Sequence, residues 1–332
     1  MPQAKRRIVF IERQVSGSVS IERVFAEVAR YLPDDLYEIE FQKMSHGNGL
    51  VGIVKNLCSF RKRDADIFHI TGHIHYMAMV LPAGKTVLTI HDLVFMHNRT
   101  GLRRYFIKKF FLDWPLRRLK HLSAVSETTR DEIEQSFPAA KGLVRVIENP
   151  VFDSFVPGEI KAFRAECPVI LQIGTTENKN VGILVKAVAG LNCKLRIIGS
   201  LDAAIIDELK ANATIFENVR SVDDEQIVEE YRNADIIAFC STYEGFGLPI
   251  IEAQAMRKPV ITSDLAPMNA VAGDGAVLVD PMDAASVRKA IERLIGDAEF
   301  RNAIIKQGTE NVKRFEPKAV ANRYCELYQE IL

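Results

Sequence analysis

The sequence predicts an α/β chain built of two doubly wound parallel-sheet domains facing across a cleft. Short β-rich runs alternate with amphipathic helical stretches along the chain, the pattern of a parallel sheet covered by helices. That alternation lapses once, near residues 151–168, and then restarts. The length of 332 residues suits two domains of roughly 100–200 residues each better than one.

The first domain is expected over residues 1–150, with strands at RIVFI (7–11), YEIEF (37–41), ADIFHI (65–70), TVLTIH (86–91) and LSAV (122–125). Pro150, Pro157, Gly158 and Pro168 punctuate the lapse, so residues 151–168 read as the linker. The second domain, 169–314, restarts with VILQI (169–173), KLRIIG (194–199), ATIF (213–216), ADIIAF (234–239), PVIT (259–262) and AVLV (276–279). Over 315–332, Val320, Tyr324, Leu327, Tyr328 and Ile331 fall at helical spacing and predict a terminal amphipathic helix packing back on the first domain. In open α/β sheets ligands bind beyond the carboxyl ends of the strands, so the loops that follow each run carry the search for function.

Composition narrows the class. Hydrophobic residues make up 48% and charged residues 26%, with a formal net charge of zero, which describes a globular chain with a substantial core and excludes a disordered one. Zero hides an asymmetry: residues 1–150 hold 23 Lys+Arg against 16 Asp+Glu, and the remainder 20 against 27. All seven histidines precede residue 122, so imidazole chemistry belongs to the first half. The five cysteines (Cys58, Cys167, Cys193, Cys240, Cys325) are odd in number and scattered, as expected of reduced thiols in a cytoplasmic protein. RIVFI is too brief for a signal sequence, and no run approaches the roughly 18 apolar residues of a spanning helix.

The strongest chemical signal is EGFGLPIIE (244–252), between the strand ADIIAF and a helix leading into PVIT. Gly245 and Gly247 let the backbone come close to a ligand. Pro249 suits the first helical position, so the helix start presents N–H groups to whatever lies before it, and a diphosphate fits there. Glu244 on the loop and Glu252 in the first helical turn can address one ligand from two sides, and a carboxylate can accept both hydroxyls of a ribose. The residues alone leave a second reading open, in which Glu252 complements the helix dipole and Glu244 is a solvated loop residue.

The stretch EGFGLPIIEAQAMRKPVITSD resembles the Glu-x7-Glu signature of the family 4 retaining glycosyltransferases (glycosyl transferases group 1). The resemblance continues through ILQIGTTENKNVGILVKAV (170–188), the IIGS strand end, VDDEQIVEEYRNAD and AGDGAVLVDPMD (272–283). It implies the GT-B fold of two Rossmann-like domains and the transfer, with retention, of a hexose-type sugar from a nucleotide-diphosphate sugar to a glycan or lipid-linked acceptor in cell-envelope polysaccharide or lipopolysaccharide synthesis. It further implies that Glu252 binds the donor ribose and that the amides from Gly247 through Leu248 to Pro249, with Gly245 and Phe246, hold the diphosphate. Glu244 would then sit by the transferred sugar. Lys179, in the loop GTTENKN that opens at Gly174, matches the family's donor-phosphate lysine. Two departures stand out: many relatives carry an Arg where this chain has Thr175 to Asn178, and often a Glu where it has Ala270. No Asp-x-Asp metal motif occupies a plausible loop, so the expectation is transfer without an essential metal or other cofactor.

Signals in the first half are weaker. TVLTIHDL ends a strand at His91 and Asp92, and the resemblance places His91 by the donor sugar or the acceptor; the alternative is an imidazole satisfied by backbone. Gly17 in RQVSGSVSIERVF resembles the family's first glycine loop without its double glycine, and a plain turn accounts for it equally. His69, His73 and His75 do not carry a metal-ligand pattern, since no carboxylate or cysteine joins them at ligand spacing; acceptor contacts or loop packing are expected. The segment 99–122 packs Arg103, Arg104, Lys108, Lys109, Arg117, Arg118 and Lys120 among Phe106, Phe110, Phe111 and Trp114. It reads either as a helix at an anionic membrane surface, making the protein peripheral on the inner face, or as an ordinary surface helix. No nucleic-acid recognition module accompanies it. The rivals within the fold are an epimerase or phosphorylase-like enzyme and a degenerate sugar-nucleotide-binding scaffold.

Overall fold

The computed structural model describes residues 4–14, 20–61, 63–94, 108–159 and 161–332. Gly17, Arg103, Arg104 and Phe106 lie outside them. Contacts divide the chain into two units, residues 1–150 with 316–332, and residues 151–315. The segment 151–168 therefore belongs to the second unit. Phe152 and Phe155 are buried, and the Phe155 ring meets Tyr231 edge-on at 5.2 Å.

The first unit holds six parallel strands, β1 (Arg6–Glu12), β2 (Tyr37–Lys43), β3 (Ile67–Ile70), β4 (Thr86–Ile90), β5 (His121–Ala124) and β6 (Val144–Val146), in the order β2-β1-β3-β4-β5-β6. β6 is the strand that apolar periodicity did not predict: it is three residues long, has Arg145 at its centre and pairs only with β5 at the sheet edge. β3 and β4 are buried along their whole length, as parallel strands covered on both faces must be. The helix Pro317–Gln329 buries Val320, Tyr324, Leu327 and Tyr328 within this unit, where Tyr324 and Phe25 meet edge-on at 5.6 Å.

The second unit holds β7 (Val169–Ile173), β8 (Lys194–Ile198), β9 (Ile215–Val219), β10 (Ile236–Phe239), β11 (Val260–Ser263) and β12 (Val277–Val279), in the order β12-β11-β10-β7-β8-β9. From β7 the chain winds outward through β8 and β9, then returns to β10 on the other side and winds outward again. The order therefore reverses between β7 and β10, and a crevice opens beyond their carboxyl ends. Several helices of this unit are capped by side chains at their starts. Asp223 and Gln226 form a reciprocal capping box on the helix Asp224–Asn233, and Asp202 and Asp297 cap the helices that follow them.

The basic, aromatic segment is not one helix to residue 122. Lys108–Asp113 forms a π-helical turn, Trp114–Arg118 a short α-helix begun by Pro115, and His121 already starts β5. Asp113 pairs with both Lys109 and Arg117, so part of the positive charge is neutralised locally. Phe110 and Trp114 remain exposed and meet at 4.5 Å.

Candidate site at the sheet reversal

The loops leaving β7 and β10 meet where the strand order of the second unit reverses. Gly174 follows β7 with φ +84°, and a Cβ there would lie 3.1 Å from Lys179 Cε, so glycine both permits the turn and leaves room for the lysine stem. Lys179 ends a short 3-10 turn, Glu177–Lys179, just ahead of the helix Val181–Val188. Its ammonium reaches Glu244 Oε1 at 2.6 Å and lies 4.6 Å from the centre of the Phe239 ring. The pair is largely covered, with the side chains 20% and 15% exposed.

Asn178 clamps the two loops. Its Nδ2 donates to the Tyr243 carbonyl oxygen at 3.0 Å and to Glu244 Oε1 at 3.2 Å, while the Thr242 N–H donates to the Asn178 carbonyl oxygen at 2.8 Å. Gln172, buried in β7, donates to the carbonyl oxygens of Gly174 (3.1 Å) and Lys179 (3.4 Å). Asn180, in the left-handed region at φ 57°, donates to Cys240 O and Pro281 O. Thr175 donates its hydroxyl to Ser200 O.

The helix after the glycine loop runs Leu248–Ala255, with Gly247 at its N-cap and φ +120°, a value open to glycine and strained for other residues. Two expectations change here. Pro249 is the second helical residue and has no N–H, and the Ile250 N–H turns to the Gly247 carbonyl oxygen at 3.0 Å. That leaves the N–H groups of Gly247 and Leu248, not a run through Pro249, at the helix start. Glu252 lies in the second turn, not the first, and is buried. Its Oε2 accepts the Tyr231 hydroxyl at 2.6 Å. Burial first, and the Glu252 carboxylate second, hold the Tyr231 phenol well above its ordinary pKa, so it is a neutral donor. Phe246 is buried and meets Phe315 edge-on at 5.6 Å, which makes it a packing residue of the loop.

In the first unit the histidines separate. His69 is fully buried, with Nδ1 2.7 Å from the Tyr328 hydroxyl and Nε2 2.7 Å from Thr89 Oγ1. It is a core residue and neither a loop nor an acceptor contact. His73, His75 and His91 gather beyond the carboxyl ends of β3 and β4, with ring centres 5.9 Å apart for His73 and His75 and 6.3 Å for His73 and His91. His73 Nε2 lies 3.6 Å from Asp92 Oδ2. His91 is 7% exposed, and its Nε2 is 2.8 Å from the Thr71 carbonyl oxygen, which fixes the proton of the neutral ring on that nitrogen. Burial first, then His73, push its pKa down to about 4.

Sequence reasoning placed Lys179, Glu244, Gly174, Gly247 and Glu252 in one region, and the fold brings them to the β7/β10 reversal. It missed Asn178, Gln172 and Tyr231. Tyr231 lies in the stretch VDDEQIVEEYRNAD that carried the resemblance, on the buried face of its helix with Val228; nothing local announced its carboxylate partner.

Residues 53–154 match Glycosyltransferase Family 4, and residues 159–311 match Glycosyl transferases group 1. The O-antigen chain mannosyltransferase RfbU of Salmonella typhimurium is 28% identical over 244 residues, 68% of this chain and 67% of that protein. The O-antigen chain mannosyltransferase B of Escherichia coli is 33% identical over 94 residues, so the match spans 28% of this chain and only 25% of that relative's length. Among solved structures, Anabaena HepE in complex with UDP and glucose superposes with a TM-score of 0.77 at 16% identity, over 98% of this chain and 100% of that one.

Proposed function

Because this chain belongs to the family 4 glycosyltransferases of the GT-B fold, we propose that it is a retaining hexosyltransferase that takes its sugar from a nucleotide-diphosphate donor. The acceptor under this reading is a glycan or lipid-linked saccharide of cell-envelope polysaccharide synthesis, the setting that the name of the Salmonella relative describes for that protein. The observation that carries the proposal is the Lys179–Glu244 pair at the β7/β10 reversal, beside the start of the helix Leu248–Ala255.

Glu252 binds the donor ribose, its orientation held by the Tyr231 hydroxyl. Lys179 and the N–H groups of Gly247 and Leu248 face the diphosphate, and Gly174 and Gly245 allow the backbone to approach it. In the reaction the bond between the anomeric carbon and the diphosphate oxygen breaks, the acceptor oxygen bonds to the same face of the sugar, and the acceptor proton passes to the departing diphosphate. Negative charge grows on that diphosphate, so a preorganised ammonium acts most strongly in the transition state. In the absence of donor Lys179 is neutralised by Glu244, which keeps the cation in place; donor binding transfers it from carboxylate to phosphate. His91, neutral at ordinary pH, serves as a hydrogen-bonding contact to sugar or acceptor and not as a cation. Metal ions are not required in this account.

No described helix is long and apolar enough to cross a membrane. Exposed Phe110 and Trp114 with Lys108 and Arg118 supply an anionic-membrane contact if the acceptor is lipid-linked. The experiment is nucleotide-sugar turnover with and without saccharide acceptors: acceptor-dependent release of nucleoside diphosphate supports a transferase, whereas sugar isomerisation without acceptor identifies an epimerase.

A further inference from the structure

The second unit is acidic, with 18 Lys+Arg against 24 Asp+Glu over residues 151–315. Against that background one cavity of about 420 Å³ is lined by five basic residues, Lys161, Arg232, Arg257, Lys258 and Arg301, and by only two acids, Glu159 and Asp235. It opens at the amino ends of β10 and β11, where Asp235 and Pro259 line it. That is the edge of the sheet opposite the loops that hold Lys179 and Glu244.

The charges in the cavity are not mutually satisfied. Asp235 is committed: its Oδ2 accepts from the Val169 N–H and from Arg164 Nε, both at 2.7 Å. Lys258 is committed in the other direction, donating to the carbonyl oxygens of Arg232 (2.9 Å) and Ala234 (2.8 Å). Arg301 donates to Leu294 O at 2.6 Å and stacks over Phe163 at 3.8 Å. The two remaining guanidiniums, those of Arg232 and Arg257, are the least committed. Arg232 pairs with Glu229 through Nη1 and Oε2 at 3.5 Å and its side chain is 39% exposed, but its Nε is covered from solvent and has no hydrogen-bond partner among the described residues. Arg257 is exposed and sits at φ 54°, and while its backbone N–H donates to Gln254 O, its guanidinium makes no hydrogen bond or ion pair with a described residue.

A buried guanidinium N–H without an acceptor is costly, and two arginine forks at one cavity match the oxygen geometry of a phosphate. We propose that this cavity is a second anion site, separate from the donor site, which binds a phosphate dianion between Arg232 and Arg257. Phe163, Met256 and Ile305 give it an apolar wall, so a phosphomonoester of a small organic molecule fits better than inorganic phosphate alone, and the volume lies within the range of small-molecule sites.

The test is calorimetric titration of the full chain with inorganic phosphate and with glucose 6-phosphate, at matched ionic strength. Lys179→Ala reports on the donor site, and the Arg232→Gln/Arg257→Gln double variant on the proposed one. Saturable binding that survives Lys179→Ala and weakens about tenfold or more in the double variant supports the site, a loss consistent with one or two charge-assisted hydrogen bonds. Tighter binding of glucose 6-phosphate than of inorganic phosphate supports the organic ligand. Arg257→Gln alone, at an exposed position, supplies the same reading if the double variant is unstable. Binding abolished by Lys179→Ala and unchanged in the arginine variants would place the phosphate in the donor site and overturn the proposal, as would the absence of saturable binding by either probe. Neither outcome touches the glycosyltransferase reading, which rests on donor turnover.

Discussion

Tyr231 and Glu252 are joined by a 2.6 Å hydrogen bond between two buried groups on successive helices of the second unit. The phenol is the donor and the carboxylate the acceptor, so one oxygen of Glu252 is held by the protein and the orientation of the other is set. For the ribose contact proposed for Glu252 that constraint matters, because a freely rotating side chain would lose entropy on binding.

Replacing Tyr231 with Phe removes the donor and little volume. A hydrogen bond to a charged group contributes about 1.5–3 kcal/mol, so the variant is expected to lose stability of that order in urea denaturation and to bind nucleoside diphosphate more weakly. Unchanged stability and affinity would show that the hydroxyl holds nothing.

Lys179→Ala is expected to lower kcat by about ten- to a hundredfold with a smaller change in KM, since charge on the leaving diphosphate increases toward the transition state. Steady-state kinetics on the preferred donor checks it. A variant with full turnover would remove Lys179 from the reaction, and its pairing with Glu244 would then be structural only.

Acid should destabilise the first unit through its buried imidazoles. Burial pushes His69 and His75 down to about 3 and His91 down to about 4. Their folded pKa values lie below the unfolded value near 6.5, so the unfolded chain takes up protons first. Their contribution is therefore complete above about pH 6.5 and is lost as pH falls toward 4 and 3, with a limiting slope of about 1.4 kcal/mol per pH unit for each histidine. Denaturation midpoints at pH 7, 6 and 5 measure it, and a flat profile across that range would contradict it.

Much of this was legible in the sequence because it is local. The second unit's six strands were marked by short apolar runs bounded by turn residues, and EGFGLPIIE showed its glycine-to-helix transition in consecutive residues. Other features depend on contacts distant in sequence. The Asn178–Glu244 clamp spans 66 positions and the Tyr231–Glu252 bond 21, and neither has a local pattern. His69 sits in an apolar strand next to a histidine-rich loop, and its partner Tyr328 is 259 positions away, so the string FHITGHIHY could not separate core from loop. β6 escaped because a three-residue edge strand with a central arginine has no apolar run to show.

Chelation is expected to leave transfer intact, since the account assigns the diphosphate to Lys179 and the helix-start amides. Turnover in excess chelator, with and without added magnesium or manganese, decides this. Activity lost with chelator and restored by either ion would require a metal in the donor site.

The most direct measurement is calorimetric titration of UDP and GDP into the wild-type chain and into Glu252→Gln, which keeps the side chain's size while removing its charge. The account predicts saturable binding of at least one nucleoside diphosphate to the wild type, weakened about tenfold or more in the variant, as expected for loss of charge-assisted bonds to the ribose. Equal affinity in the two proteins, or no binding of either nucleotide to the wild type, would contradict the assignment of the donor to the β7/β10 reversal.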